Sequence, residues 1–181
     1  NYGFLIDEPI DAKNISVSIE VKPQQESSFL GVVKSRSPKS EELIISSIGD
    51  FVGRWLLVRI GSSDCDEVCT EELYAMRQVR LMTGKNRSRV ERIWLIPNHS
   101  SASKTSKQDE YDGTWGLSVS NSAGFLKRLD LVSKNFDENL TYKGLWLIDP
   151  QGFFMMRFPE DADIKKIYKD IARLLKVSRT G

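Results

Sequence analysis

The chain holds two cysteines, four residues apart in Asp64-Cys65-Asp66-Glu67-Val68-Cys69-Thr70. Thiols so close in sequence can do two kinds of chemistry. They can cycle between dithiol and disulfide, or their two thiolates can hold one soft Cu(I) ion. The pair follows the apolar run Trp55-Leu56-Leu57-Val58-Arg59-Ile60 and precedes a helix-like stretch. Both sulfurs are therefore expected where a strand runs into a helix. Two cysteines sharing one helical turn would have Cα atoms about 6 Å apart. That lies inside the window a disulfide tolerates, near its long end. Closing the bond would bend the first turn, and a strained bond is easily reduced. The spacing admits both uses, and a structural disulfide or two core thiols is the plainer alternative.

Electrostatics pull both ways. A helix N-terminus favours a thiolate, while Asp64, Asp66, Glu67, Glu71 and Glu72 surround the pair with negative charge. Cys65, nearer the helix start, is the expected attacking sulfur. Asp66 and Thr70 read as helix caps. The only histidine, His99, follows an apolar run at 93–96. Parallel strands of one sheet end on the same side, which makes His99 a candidate third ligand for Cu(I). An isolated histidine in a polar loop is equally an ordinary surface residue.

The elements that must position these groups are legible from periodicity. Trp55–Ile60 is apolar except for Arg59, which suits a strand buried on both faces. Over 70–83, Leu73, Met76 and Val79 recur at helical spacing, and Gly84 suits a C-terminal stop. A second strand is expected at 93–96, then a polar loop over 99–113, after which Trp115 in a Gly-flanked stretch is expected as an exposed aromatic. Ser122–Lys134 reads as a helix. Leu145–Ile148 and Phe153–Phe158 flank Asp149-Pro150-Gln151-Gly152 and predict a hairpin. A last helix spans 162–175, with Ile164, Ile167, Ile171, Leu174 and Leu175 in one stripe. Before residue 49 the chain is broken by Pro9, Pro23 and Pro38, and Ile15, Val17, Ile19 and Val21 alternate with polar residues. That alternation predicts a strand, with 29–33 as its hairpin partner.

The resulting order from Trp55 onward, β-α-β-α-β-β-α, is that of the thioredoxin fold. The expectation is an α/β thioredoxin-like domain over 49–181, its central mixed sheet flanked by helices. An N-terminal extension, 1–48, carries a β-hairpin packed on that core. Bulk properties agree with a normally cored globular chain: 181 residues, 40% hydrophobic, 28% charged. A net charge of +1, from 26 basic and 25 acidic residues, gives no sign of a nucleic-acid partner. No run reaches the roughly 18 apolar residues of a membrane span. The chain starts at Asn1 rather than Met, so a signal peptide or anchor helix is expected to have preceded it.

Several segments in this order resemble the Sco/SenC group of thioredoxin-fold proteins. They are Gly53-Arg54-Trp55-Leu56-Leu57-Val58, the Cys65-x-x-x-Cys69 pair, Leu73-Tyr74, Gly84-Lys85, Arg89-Val90 and Leu147-Ile148-Asp149-Pro150-Gln151-Gly152. A bacterial membrane-anchored branch associated with cytochrome c oxidase assembly is the nearer likeness. Leu73-Tyr74-Ala75-Met76-Arg77-Gln78-Val79-Arg80-Leu81, Arg92-Ile93-Trp94-Leu95 and Met155-Met156-Arg157-Phe158-Pro159 carry it, with the run from Ala172 to Arg179. The resemblance covers roughly 49–179.

It implies a domain on the periplasmic side of the bacterial inner membrane, held by an N-terminal anchor absent from this chain. It also implies a role in cytochrome c oxidase biogenesis, with an oxidase subunit or a copper carrier protein as partner. The broad family binds copper through two cysteines and a distant histidine. Here Asp66 and Thr70 stand where the family has prolines, and Thr141 falls where it has the histidine. Copper delivery is therefore not carried over intact. Three roles stay open: a thiol-disulfide oxidoreductase using Cys65 and Cys69, a Cu(I) chaperone using Cys65, Cys69 and His99, and a non-catalytic assembly scaffold.

Overall fold

A computed structural model of the chain describes residues 1–23, 44–97, 113–120, 122–134 and 143–178. In chain order the strands are β1 (Phe4–Asp11), β2 (Val17–Val21), β3 (Trp55–Ile60), β4 (Val90–Pro97), β5 (Trp115–Val119), β6 (Leu145–Ile148) and β7 (Phe153–Phe158). The helices are α1 (Glu67–Met82), α2 (Ser122–Lys134) and α3 (Ile164–Val177). Short 3-10 helices cover Ile48–Phe51 and Gly84–Arg89.

One mixed sheet runs β1-β7-β6-β3-β4-β5-β2. β3 sits at its centre, parallel to β4 and antiparallel to β6. All six residues of β3 are buried, as expected for a continuous apolar run covered on both faces. β6 and β7 pair antiparallel through the predicted turn. Gly152 N–H donates to Asp149 O at 2.9 Å, with Gly152 at φ +92°, a conformation that needs glycine. The Asp149 carboxylate accepts from the backbone N–H groups of Gln151 and Phe153 at 3.0 Å each.

Two apolar clusters cover the faces of the sheet. One packs α1 and α3 against Trp55, Leu57, Trp94 and Leu147, using the predicted stripes Leu73, Met76, Val79 and Ile167, Ile171, Leu175. The other packs Ile48, Phe51, Leu56, Val58 and Trp146 with Leu129 of α2.

Trp115 corrects the sequence reading. It is not an exposed loop residue but the first residue of β5, 3% exposed and 5.6 Å edge-to-face from Phe51. The strand was missed because Gly116 and Ser118 interrupt its apolar pattern. β5 adds a strand between β4 and α2 that the β-α-β-α-β-β-α reading lacks.

The N-terminal segment joins the sheet at both edges. β1 pairs with β7, and β2 pairs with β5 at the far side. Its start is fastened to α3, where Asp170 Oδ2 accepts from Tyr2 N at 2.6 Å and Gly3 N at 2.9 Å. The partner expected for β2, 29–33, lies outside the described residues.

Candidate redox site at the start of the first helix

Cys65 and Cys69 are joined as a disulfide, with Cα atoms 5.2 Å apart. They do not share a helical turn. Asp66 is the N-cap of α1, in extended backbone (φ −74°, ψ −174°), and its carboxylate accepts from Cys69 N at 2.9 Å. Cys65 therefore precedes the helix and Cys69 is its third residue. The chain turns at Asp66, so the pair is not the i, i+4 pair inside a helix that its spacing suggests. Asp66 takes the expected cap role. Thr70 Oγ1 donates to Asp66 O at 3.1 Å and lies 3.9 Å from Cys65 Sγ.

The two sulfurs are unequal. Cys69 is fully buried in the cluster of α1 and α3, while Cys65 is only half-buried. Of the two, Cys65 is the more open to an incoming nucleophile. The buried sulfur would leave as a thiolate at the helix N-terminus, where the first-turn N–H groups favour negative charge.

Beneath this loop lies a pair that sequence reading did not single out. Arg59 of β3 and Glu72 of α1 are 8% and 6% exposed, with Arg59 Nε 2.9 Å from Glu72 Oε2. Glu72 Oε1 accepts from Gly144 N at 3.1 Å. Burial raises the Glu72 carboxyl above its ordinary range and outweighs the attraction of Arg59. Glu72 is therefore not one of the surface acids crowding the cysteines. The available signal was a charge inside each of two apolar patterns, Arg59 in the strand and Glu72 beside Leu73.

Arg59, Asp66, Val68, Glu72, Lys143 and Glu160 line a recess of about 140 Å³ next to the disulfide loop. Lys143 Nζ lies 3.6 Å from Glu160 Oε1. A second recess of about 330 Å³, between α1 and the segment leading to α3, shares Glu72 and Glu160 with the first.

Once reduced, the two thiols suit a Cu(I) cargo by donor type and proximity. Among the described residues no group of three or more His, Cys, Asp or Glu could hold a metal ion. His99 and Thr141 lie outside the described residues.

A mixed sheet with a strand-to-helix cysteine pair and helices on both faces defines a thioredoxin-like protein. The chain belongs to the family described as "Transmembrane-like, thioredoxin-like, C-terminal domain", whose model matches residues 55–178. No curated protein matches it. Among solved structures it is similar to the apo Sco1 protein of Thermus thermophilus, at 14% identity over 96% of each chain, with a TM-score of 0.59. Copper-bound ScoI of Arabidopsis thaliana matches at 13% identity, covering 74% of this chain and 91% of that one, with a TM-score of 0.55. BsSco, described with a disulfide switch and as a Sco-family cytochrome c oxidase assembly protein, matches at 10% identity, covering 96% and 99%, with a TM-score of 0.54. The Sco/SenC resemblance thus holds at the level of the fold.

Proposed function

We propose that the protein is an accessory factor of cytochrome c oxidase biogenesis that works by thiol-disulfide exchange at Cys65 and Cys69. The observation that carries this reading is the unequal pair: a disulfide at a helix start with one reachable and one buried sulfur. In the reduced protein the Cys65 thiolate attacks a partner disulfide, and one partner sulfur departs as a thiolate. Cys69 then attacks Cys65 Sγ, the second partner sulfur departs, and the Cys65–Cys69 bond closes. The partner gains two electrons and the protein loses them. The partner is an oxidase subunit or a copper carrier, met on the periplasmic side of a bacterial inner membrane. The solved Sco structures of like fold support this reading, one with a disulfide switch.

Equilibration in glutathione buffers with mass-spectrometric counting of alkylated thiols tests it. A reachable sulfur predicts a potential above the roughly −300 mV typical of structural disulfides. A pair that stays oxidised in strongly reducing buffer is structural, and the exchange reading fails.

A second reading, Cu(I) carriage, rests on the two sulfurs lying side by side at the start of α1 and on copper-bound neighbours in fold space. Reduced Cys65 and Cys69 would hold the ion with His99 as the third donor. Competition against a Cu(I) chelator should show weak binding that Thr141→His strengthens. If that variant binds no tighter, Thr141 does not occupy the ligand position.

A further inference from the structure

The net charge of +1 conceals a separation along the molecule. α1 starts among Asp64, Asp66, Glu67 and Glu71. From residue 73 to residue 90 the chain then carries Arg77, Arg80, Lys85, Arg87 and Arg89 and no acid. α3 has cations along its whole length, Lys165, Lys166 and Lys169 near its start and Arg173 and Lys176 near its end, with Asp170 paired to Arg173. The two basic ends are side by side. Arg89 donates from Nη1 to Leu175 O at 2.8 Å and from Nη2 to Ser178 O at 2.9 Å. Arg54 Nη1 donates to Ser88 O, which brings the start of β3 to the same place. Burial holds the Arg80 pKa below its ordinary value; Glu91 opposes that shift, and Arg87 and Arg54 add to it, as clustered cations should.

Large apolar side chains are exposed at this same end. Leu81 is 47% exposed, Met82 39% and Val177 77%. Lys85, Arg87 and Lys176 lie within a few residues of them, are exposed, and form no ion pair among the described residues. A purely ionic partner gives no reason for exposed aliphatic groups, and an apolar partner gives none for the cations. An anionic bilayer meets both, with phosphates at the headgroup level and an acyl boundary just below.

We infer that the basic end of the domain rests on the surface of an anionic phospholipid bilayer. Lys85, Arg87 and Lys176 meet headgroup phosphates, and Leu81, Met82 and Val177 enter the acyl boundary. No helix among the described residues is long and apolar enough to cross a membrane, so this contact lies on the surface. The disulfide stands at the opposite end of α1, about 24 Å away for 16 residues at 1.5 Å each. Its acidic surroundings are repelled by the same lipid. Docking therefore orients Cys65 away from the bilayer, towards a soluble partner.

Co-sedimentation of the 181-residue chain with phosphatidylcholine vesicles, with and without phosphatidylglycerol, tests the inference. Binding is expected only with phosphatidylglycerol, and should weaken as salt rises. Lys85→Gln and Arg87→Gln should each weaken it about fivefold. Leu81→Ser with Met82→Ser should weaken it while leaving the salt dependence intact. Glu67→Gln with Glu71→Gln, at the other end, should not weaken it. These side chains are exposed, and circular dichroism confirms that each variant is folded. No binding to either vesicle, or equal binding to both, overturns the inference. Salt-sensitive binding to polyglutamate without binding to vesicles also overturns it and assigns the patch to an acidic protein.

Discussion

Arg59 Nε lies 2.9 Å from Glu72 Oε2, and together the two residues tie the central strand to the helix that carries Cys69. Neither charge has much access to water, so each depends on the other and on the Gly144 N–H that completes the Glu72 carboxylate. Removing Glu72 takes from the buried Arg59 its ionic partner. Glu72→Ala should destabilise the fold by about 3–5 kcal/mol. A urea-midpoint shift below that of an ordinary surface substitution would show that Arg59 is already satisfied elsewhere.

The same carboxyl gives a pH signature. Its folded value is raised above 4.5 by burial, against the pull of Arg59, so the folded chain holds this proton more tightly than the unfolded chain. Its contribution to stability is full below 4.5 and is lost as pH rises through the raised value. Glu72→Gln cannot ionise and should lack that decline. Unfolding free energies measured from about pH 4 to about pH 8 for both proteins test this. Identical slopes would mean that the carboxyl is not shifted.

The unequal burial of the sulfurs predicts unequal reactivity. In the reduced protein Cys65 should be alkylated at least about tenfold faster than Cys69, since reaction follows access and thiolate character. With Cys69→Ser a mixed disulfide through Cys65 should accumulate, and with Cys65→Ser it should not. Peptide mapping after brief iodoacetamide treatment checks the first outcome, and non-reducing gels check the second.

Asp66 has two effects that substitution can separate. Asp66→Ala removes the cap on Cys69 N and should cost about 0.5–2 kcal/mol. Asp66→Asn keeps a capping oxygen but removes a negative charge beside the sulfurs. Stability should then change little while alkylation of the reduced pair speeds up at neutral pH. If both variants alkylate at the wild-type rate, the acid does not restrain the thiolates.

Asp50 titrates in the opposite sense to Glu72. Backbone hydrogen bonds from Ser46 and Ser47 hold its carboxylate below the ordinary 3.8, although partial burial opposes them. The stability it contributes is present above 3.8 and is lost as pH falls through the lowered value. Asp50→Ala should therefore destabilise the protein near neutrality by about 1 kcal/mol, as loss of a helix-start bond does. It should cost less in acid, and thermal melts at two pH values would compare the two.

The central elements were legible because their patterns are local. Trp55–Ile60 is an almost unbroken apolar run, α3 carries its stripe at helical spacing, and Asp149-Pro150-Gln151-Gly152 has turn chemistry at each position. The cysteine spacing marked the site and Asp66 marked the cap. β5 was hidden because its strand status comes from pairing with β4 on one side and β2 on the other. Trp115 is buried by that pairing and by Phe51, none of which its neighbours in sequence reveal.

Residue types and spacing settled which chemistry is available: two thiols at the junction of a strand and a helix, under a thioredoxin-like order of elements. Only the tertiary structure decided that the thiols are unequal, because burial of Cys69 depends on how α1 packs against α3. Only it paired Arg59 with Glu72 across 13 positions of sequence. It also gathered the bases from the ends of α1 and α3 at one end of a nearly neutral chain. Each of these is a relation between side chains that folding brings together from separate elements, and no local pattern encodes it.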